Sequence, residues 1–258
     1  MGQGRQRLSG RRDAYFRQHT SSPPWEGKPV VQLDRGIDWL ALTDLWVRLE
    51  TRYKAENYDG LGGKSTAYVV DRGSPIVLVA SHAVNHFRDR RPKLADRWTG
   101  GLTELLGELL DISVITATRK TGAWDDWSTR QDEFSDLFPK LARSSKLVVD
   151  MHGMSDSHGL DMCIGLGPSP AKTEHQASTL LEDRLRAFPL RLTDPFPATA
   201  PYTIPSHLQL GQVTSCIQLE LASSVRSPIE SISTTVPFLK GLATALYELN
   251  TSLGDPVL

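Results

Sequence analysis

The chain has 258 residues, 29 Lys and Arg against 30 Asp and Glu, and seven histidines. This length suits one large domain or two small ones with a substantial core. A formal net charge of −1 gives no general attraction to nucleic acids or anionic membranes, so neither partner is expected. Two cysteines are too few for a disulfide framework or a cysteine-rich zinc module, so any metal site should use histidines and carboxylates.

The first 64 residues are predicted to form an N-terminal extension, followed by a main domain at residues 65–258. The arginine-rich start lacks the apolar segment of a secretory signal, and no window approaches the roughly 20 apolar residues of a membrane span. We therefore expect a cytoplasmic protein. Apolar residues at helical spacing over residues 39–53 predict one amphipathic helix that packs on the main domain.

Four apolar, β-branched segments predict the strands of a sheet, at residues 75–80, 112–117, 146–150 and 216–221. A weaker segment at residues 66–70 is predicted to pair with the first strand across a turn. Helical patterns lie between and after these strands, at residues 102–110, 134–141, 173–188 and 236–249. This alternation predicts an α/β protein with a mixed, largely parallel sheet flanked by helices on both faces. Proline-rich residues 194–205 are predicted to form a long ordered loop of the kind that carries ligand sites.

Histidines and a carboxylate stand at three of these strands. His82 follows the first strand, His152 follows the third, and Glu220 interrupts the apolar pattern of the fourth. Because the carboxyl ends of parallel strands share one edge of a sheet, we expect the three side chains to converge. Two imidazoles with carboxylates suit a catalytic zinc site, which keeps one position open for water.

Each of these residues also has a structural interpretation. A single histidine after a strand is more often a hydrogen-bonding core residue, and Glu220 fits the outward face of an edge strand as well. Gly153 either lets the backbone approach a ligand or serves a turn. Cys163 and Cys216 are expected to be buried thiols, and the sequence contains no GxSxG, GxGxxG or HExxH motif.

Three short segments, in this order, resemble motifs of the N-formylglutamate amidohydrolase family: Ser81-His82-Ala83-Val84, Asp150-Met151-His152 and Ile217-Gln218-Leu219-Glu220. The resemblance covers roughly residues 70 to 250. It implies the zinc carboxypeptidase-like fold, a three-layer hydrolase architecture. It also implies one zinc ion held by His82 and His152, with Glu220 as the general base that activates water.

The middle metal ligand is where the chain departs from this pattern. The HxxE motif of carboxypeptidases requires a glutamate at position 85, but Asn85 stands there. His86 and Asp96 remain as candidates. The segment around Asp96 resembles the acidic position of the family's next block, so Asp96 is the preferred third ligand beside His82 and His152.

The resemblance leaves the substrate open. His86, Arg88 and Asp126 are the predicted substrate-binding residues, although the basic segment at residues 88–93 and the turn at residues 124–127 also suit exposed loops. The family's Asp-x-Asn-Arg motif is replaced by residues 121–130, and its turn glycine by Val84. We predict a hydrolase of an amide bond in an N-acyl amino acid, N-formyl forms included, or in a small peptide. The alternative is a non-catalytic binding protein with a degenerate metal site.

Overall fold

The structure is a computed structural model that describes residues 36–88, 91–120 and 132–254. Contacts divide the chain into two units, Met1–Ile37 and Asp38–Leu258. The second unit contains every element described below, including the helix predicted at residues 39–53. The domain boundary predicted between residues 64 and 65 stays a prediction.

The second unit alternates strands and helices along most of its length. Its strands are β1 (Ala67–Val70), β2 (Ile76–Ala80), β3 (His86–Arg88), β4 (Arg91–Lys93), β5 (Ser113–Ala117), β6 (Leu147–Met154), β7 (Met162–Gly165), β8 (Leu190–Leu192) and β9 (Ser215–Ala222). Its helices are α1 (Trp39–Ala55), α2 (Thr99–Leu110), α3 (Glu133–Ser144), α4 (Lys172–Arg184), α5 (Ile204–Leu210), α6 (Ser223–Arg226) and α7 (Ile232–Gly254). None of the helices in these described ranges combines the length and hydrophobicity needed to cross a membrane.

Seven strands form the main sheet, in the order β1-β5-β2-β6-β9-β7-β8. The central strands β5, β2, β6 and β9 are parallel, while β1 and β7 run antiparallel to their neighbours β5 and β9. The predicted mixed, largely parallel sheet is therefore confirmed. Because β2, β6 and β9 are parallel, their carboxyl ends lie at one edge of the sheet.

The predicted pairing of residues 66–70 with the first strand is wrong. β1 pairs with β5, and Val70 lies opposite Val114. The physical reason is that β5 and β6 already occupy both edges of β2, which leaves no hydrogen-bonding edge for β1. β3 and β4 form a separate antiparallel pair within the basic segment, which also suited an exposed loop.

Helices cover both faces of the sheet, as predicted. α2 and α7 contact β2, whereas α3 contacts β5 and α5 contacts β9. Val77 and Val79 of β2 share a buried cluster with Phe134 of α3 and Ile204 of α5. The alternate residues of β2 are buried too and point to the opposite face. Each large apolar side chain buried in this way contributes about 1.5–3 kcal/mol.

The register of β6 and β9 carries polar residues onto the α3 and α5 face of the sheet. Val148 and Cys216 lie opposite each other in the core cluster of that face. Side chains alternate along a strand, so His152 and Glu220, four residues further on, lie on the same face. His152 and Glu220 are themselves direct register partners. The sheet therefore places both at its carboxyl edge, just beyond the apolar core.

Candidate metal centre

His82, Asp96 and His152 form a buried cluster at this edge of the sheet. His82 lies two residues beyond β2, His152 lies in β6, and Asp96 lies in the loop before α2. Each side chain offers one ligand atom, and these atoms all lie within 4.8 Å of one another. The structure therefore brings together the three residues that the sequence analysis proposes as metal ligands.

Backbone and side-chain hydrogen bonds fix the loop that carries Asp96. The backbone N–H of Asp96 donates to the carbonyl of His82 at 2.9 Å, and Thr99 Oγ1 donates to the carbonyl of Asp96 at 2.6 Å. Asn85 Oδ1 accepts from the N–H of Ala95 at 2.9 Å, while Asn85 Nδ2 donates to the carbonyl of Asn57 at 2.8 Å. Asn85 occupies the position of the glutamate in an HxxE motif. Its side chain holds Ala95, the neighbour of Asp96, and so fixes the loop.

Charge in the cluster is divided unequally between Asp96 and His82. Burial alone would raise the pKa of Asp96, but hydrogen bonds with His152 and His82 hold it well below its usual range. Burial also lowers the pKa of His82 well below its ordinary value, against the opposing effect of Asp96. An ionised carboxylate and a neutral imidazole are the forms in which these groups bind metals.

Asp150 orients the ring of His152. Its Oδ2 lies 2.8 Å from His152 Nε2, and Asp96 Oδ2 lies 3.2 Å from His152 Nδ1. Burial alone would lower the pKa of His152, but Asp150 and Asp96 raise it well above its ordinary value. A metal ion and a proton therefore compete for Nδ1, because a histidine ligand must be deprotonated. The role of Asp150 was missed in the sequence, although its spacing of two residues from His152 on one strand indicates it.

Glu220 lies beside the cluster in an interior strand. β9 runs between β6 and β7, so the alternative of an exposed edge strand is wrong. Burial raises the pKa of Glu220, and the nearby charge of Asp96 adds to the effect. Gln218 Nε2 donates to Glu220 Oε1 at 2.8 Å. Glu220 is therefore a buried carboxylate that takes up a proton more readily than an exposed one.

These residues face an open cavity of about 490 Å³, which is also lined by a loop and by basic side chains. His82, Asp96, His152 and Glu220 line it on the sheet side. Residues 195–200, 202 and 203 of the predicted proline-rich loop also line it, and helix α5 begins just after them. Arg88 and Lys93 line the cavity too, and the guanidinium of Arg88 lies 5.7 Å from the ring centre of Tyr202.

The remaining candidate residues lie elsewhere. The His86 ring stacks on the His82 ring with a centroid distance of 4.2 Å, and burial lowers the pKa of His86 to about 4. His86 is outside the cluster of three ligand atoms. Asp126 lies outside the described residues. Cys163 and Cys216 are free and buried, as expected, and burial raises the pKa of both thiols.

Two further residues escaped the sequence analysis because no local pattern marks them. Glu50 of α1 accepts hydrogen bonds from the N–H groups of Trp98 and Gly101, just after Asp96. Arg226 donates to three backbone carbonyls around the site. Both residues act across long sequence separations, which neither periodicity nor motif spacing reports.

The donor set fits a catalytic zinc ion. Such sites use three protein ligands drawn from histidines and carboxylates, and they leave a further position open. Two imidazoles and one carboxylate match that pattern, and the cavity gives access to them. The carboxylate on the second nitrogen of His152 is also a common outer partner of zinc-binding histidines.

No protein family model matches the chain, and no curated protein matches it either. Among solved structures, the chain is similar to a bacteriophage poly-gamma-glutamate hydrolase at 16% identity and a TM-score of 0.48, over 77% of this chain and 93% of that one. It is similar to an N-formylglutamate amidohydrolase from Ralstonia eutropha JMP134 at 11% identity and a TM-score of 0.48, over 73% and 98% of the two chains. For a metallo-carboxypeptidase from Burkholderia cenocepacia, the identity is 10% and the TM-score 0.42, over 72% and 65%. Similarity at this level assigns no activity to the chain.

Proposed function

We propose that the chain is a zinc-dependent amidohydrolase that cleaves the amide bond of an N-acyl amino acid, N-formyl forms included, or of a small peptide. The observation that carries the proposal is the convergence of His82, Asp96 and His152 beside the buried Glu220 in one cavity. The residues come from separate strands and a loop, and they supply both a metal donor set and a general base. Packing at the edge of a sheet does not by itself require these four side chains to lie together.

His82, Asp96 and His152 would hold the metal ion. A bound zinc ion supplies Lewis acidity, which makes water a stronger nucleophile near neutral pH and polarises a carbonyl group. With the metal bound, Asp150 would keep the hydrogen of His152 on Nε2, which leaves the lone pair of Nδ1 free to bind the ion beside Asp96. Asn85 and the carbonyl of His82 hold the backbone that leads into Asp96, through the N–H groups of Ala95 and Asp96.

Glu220 would move the protons of the reaction. Its Oε1 accepts a hydrogen bond from Gln218, so Oε2 is the oxygen that takes the proton from the attacking water. Burial raises the pKa of Glu220, which helps the carboxyl group hold that proton. It then passes the proton to the nitrogen of the leaving amine, which completes hydrolysis of the amide bond.

Arg88 and Lys93 give the cavity a positive side that suits a substrate carboxylate. Both line the cavity, and Lys93 Nζ lies 3.6 Å from Asp96 Oδ1. An N-acyl amino acid presents a carboxylate close to its scissile amide, so these cations can orient it next to Glu220. His86 and Asp126 as substrate contacts stay predictions, as do a cytoplasmic location and the lack of nucleic-acid or membrane partners.

The alternative of a degenerate, non-catalytic site loses its main support. It drew on Asn85 at the glutamate position of the HxxE motif and on the altered turn at Val84. Asp96 supplies a third donor atom within the same cluster, and Asn85 has a structural part in holding the loop before it. A donor set of three with a neighbouring buried carboxylate favours the enzyme.

The substitution Glu220→Gln tests the proposal. We expect the variant to keep stoichiometric zinc and to lose at least about 100-fold in turnover, because general-base catalysis contributes about that much or more. The measurement is release of free amine from a panel of N-formyl and N-acetyl amino acids and dipeptides. Glu182→Gln, on the exposed side of α4, is the matched control and should leave turnover unchanged.

Two outcomes would contradict the proposal. Undiminished turnover in Glu220→Gln removes Glu220 as the base. Zinc-loaded wild type that hydrolyses no member of the panel, while binding one of them, favours the non-catalytic alternative.

A further inference from the structure

Arg226 is a buried cation at the meeting point of three segments of the site. It ends helix α6, directly after β9, and is 7% exposed. Its Nε donates to the carbonyl of Leu221 at 2.9 Å, Nη2 donates to the carbonyl of Met154 at 3.3 Å, and Nη1 donates to the carbonyl of Arg97. One guanidinium therefore links β9, β6 and the loop before α2.

Each of these carbonyls belongs to a neighbour of a proposed site residue. Leu221 follows Glu220, Arg97 follows Asp96, and Met154 lies two residues after His152. The planar fork of an arginine fixes its hydrogen-bond acceptors at defined angles, which a flexible ammonium group does not. The contacts of Arg226 therefore set the positions of three backbone segments relative to one another.

The burial of Arg226 lacks the usual compensation. Within the described residues, no carboxylate lies within ion-pair distance of the guanidinium. Burial lowers the pKa of Arg226, and the more distant charges of Asp96, Asp156, Glu50 and Glu220 oppose that effect. A buried charge costs free energy unless its hydrogen bonds are satisfied. Arg226 satisfies them with the backbone around the site, so the loop and strand ends must stay in place for the charge to be tolerated.

Gly153 makes room for this arrangement. It lies inside β6, so no turn requires it, and a Cβ atom at this position would be 2.7 Å from Arg226 Cζ. Any larger residue after His152 would displace the guanidinium. The sequence analysis left two roles open for Gly153. In the structure, Gly153 makes space for the side chain of Arg226.

The loop that carries Asp96 depends on such external support. Trp98, two residues after Asp96, has a left-handed backbone with φ of 73°, a conformation that residues other than glycine rarely adopt. Its N–H donates to Glu50, and its carbonyl accepts from Trp46 Nε1 at 3.1 Å. Helix α1 holds one end of residues 95–98, Asn85 holds the other, and Arg226 holds the carbonyl between them.

We propose that Arg226 is a positioning residue for the metal centre, whose guanidinium holds the Asp96 loop against the strand ends that carry His152 and Glu220. The proposal rests on the metal site of the proposed function. Beyond that function, the proposal says that the Arg226 guanidinium helps bring the metal-binding atoms together without contacting any of them. Gly153 is the second part of the device, because it admits the guanidinium.

The test is the zinc affinity of chelator-stripped protein, measured by competition with a chromophoric chelator. Arg226→Gln should weaken zinc binding by about 10- to 100-fold, which is the usual effect of losing an outer partner of a metal site. The sign separates positioning from simple electrostatics. Removal of a positive charge beside a cation site would by itself strengthen zinc binding. Unchanged or tighter binding in Arg226→Gln overturns the proposal.

Three further variants keep the test sharp if Arg226→Gln folds poorly. Arg226→Lys keeps the charge without the fork and should bind zinc more weakly than wild type; affinity equal to wild type contradicts the proposal. Gly153→Ala should weaken zinc binding by displacing the guanidinium. The double variant, Gly153→Ala with Arg226→Gln, should bind zinc no more weakly than Arg226→Gln alone. Additive losses in the double variant would show that Gly153 acts independently of Arg226, against the proposal.

Arg72→Gln is the matched control for stability. Arg72 is also largely buried and donates to the carbonyl of Ile112 at 3.1 Å, at the opposite edge of the sheet. The Arg72→Gln substitution should lower the thermal midpoint of the metal-free protein without changing its zinc affinity. An equal loss of zinc affinity in Arg72→Gln would reduce the effect of Arg226 to general stability and overturn the positioning role. Wild type that binds no zinc would instead overturn the proposed function.

Discussion

Asp96 is the residue on which the composition of the proposed metal centre depends. It is ionised because hydrogen bonds with both histidines hold its pKa low despite burial, and it contributes the third ligand atom of the cluster. His86, the rival candidate, packs its ring on His82 instead. The two residues differ in what they touch, so they should differ in what they contribute to metal binding.

We therefore expect Asp96→Ala to weaken zinc binding more than His86→Ala does. Loss of a direct ligand should exceed the about 10- to 100-fold effect of a lost outer partner, whereas His86→Ala should stay within that range because His86 packs on His82 and lies outside the cluster of three ligand atoms. Zinc titrations of both variants, with unfolding curves as a check of folding, measure the difference. A larger loss in His86→Ala would assign the third ligand to His86.

The sequence analysis predicted that the proposed site residues at strand ends would lie close together, and the structure brings them together. His82, His152 and Glu220 stand at or after β-branched segments, and parallel strands bring such positions to one edge. Glu50 and Arg226 escaped it, because their roles arise from hydrogen bonds to residues far away along the chain. The carbonyl of Arg97, for example, accepts from a guanidinium 129 positions later, a distance over which sequence spacing carries no information.

At the scale of elements, helix α1 completes the start of helix α2. Trp98 is the N-cap of α2 and offers no side-chain acceptor to the first N–H groups of the helix. Glu50 of α1 supplies that acceptor instead, through the N–H groups of Trp98 and Gly101. The helix that the sequence analysis assigns to an N-terminal extension is thus tied to the loop of Asp96.

The ionisation of Glu50 should give the α1–α2 contact a pH dependence. Burial raises its pKa above the value in the unfolded chain, although the two backbone hydrogen bonds oppose the shift. The folded state then binds more protons than the unfolded state between the two pKa values, so this contribution to the free energy of unfolding is present at low pH and falls as the pH rises through the folded-state value.

Glu50→Gln isolates this effect, because glutamine cannot ionise. The free energy of unfolding of wild type minus that of Glu50→Gln should decrease from about pH 4 to about pH 8, measured by denaturant titration at each pH. Glu56→Gln, at the exposed end of the same helix, is the control for the substitution itself. A difference that stays constant or grows with pH would contradict the raised pKa of Glu50.

The strands show where local sequence stops being informative about elements. The four main strands were predicted from apolar runs, and their parallel order follows from the helices between them. The pairing of β1 was predicted wrongly, because a short segment before a turn looks the same whether it pairs with β2 or with β5. Only the occupation of both edges of β2 by β5 and β6 decides between them.

At the scale of the whole second unit, the proposed metal centre is a product of the topology. Its residues come from the end of β2, the loop before α2, and strands β6 and β9, which meet only when the central parallel strands are assembled. An unfolded chain has no such arrangement of donors. Zinc should therefore bind the folded state and stabilise it, in proportion to the logarithm of its concentration above the dissociation constant.

The existence of the metal centre is tested most directly by the zinc content and thermal stability of the chelator-stripped chain after equilibration with zinc. We predict about one zinc ion per chain, as in catalytic sites with three protein ligands, together with a thermal midpoint that rises with zinc concentration. The double substitution His82→Ala and His152→Ala should abolish both effects. A wild-type chain that takes up no stoichiometric zinc, or whose midpoint is indifferent to it, would contradict the assignment of His82, Asp96 and His152 as a metal centre.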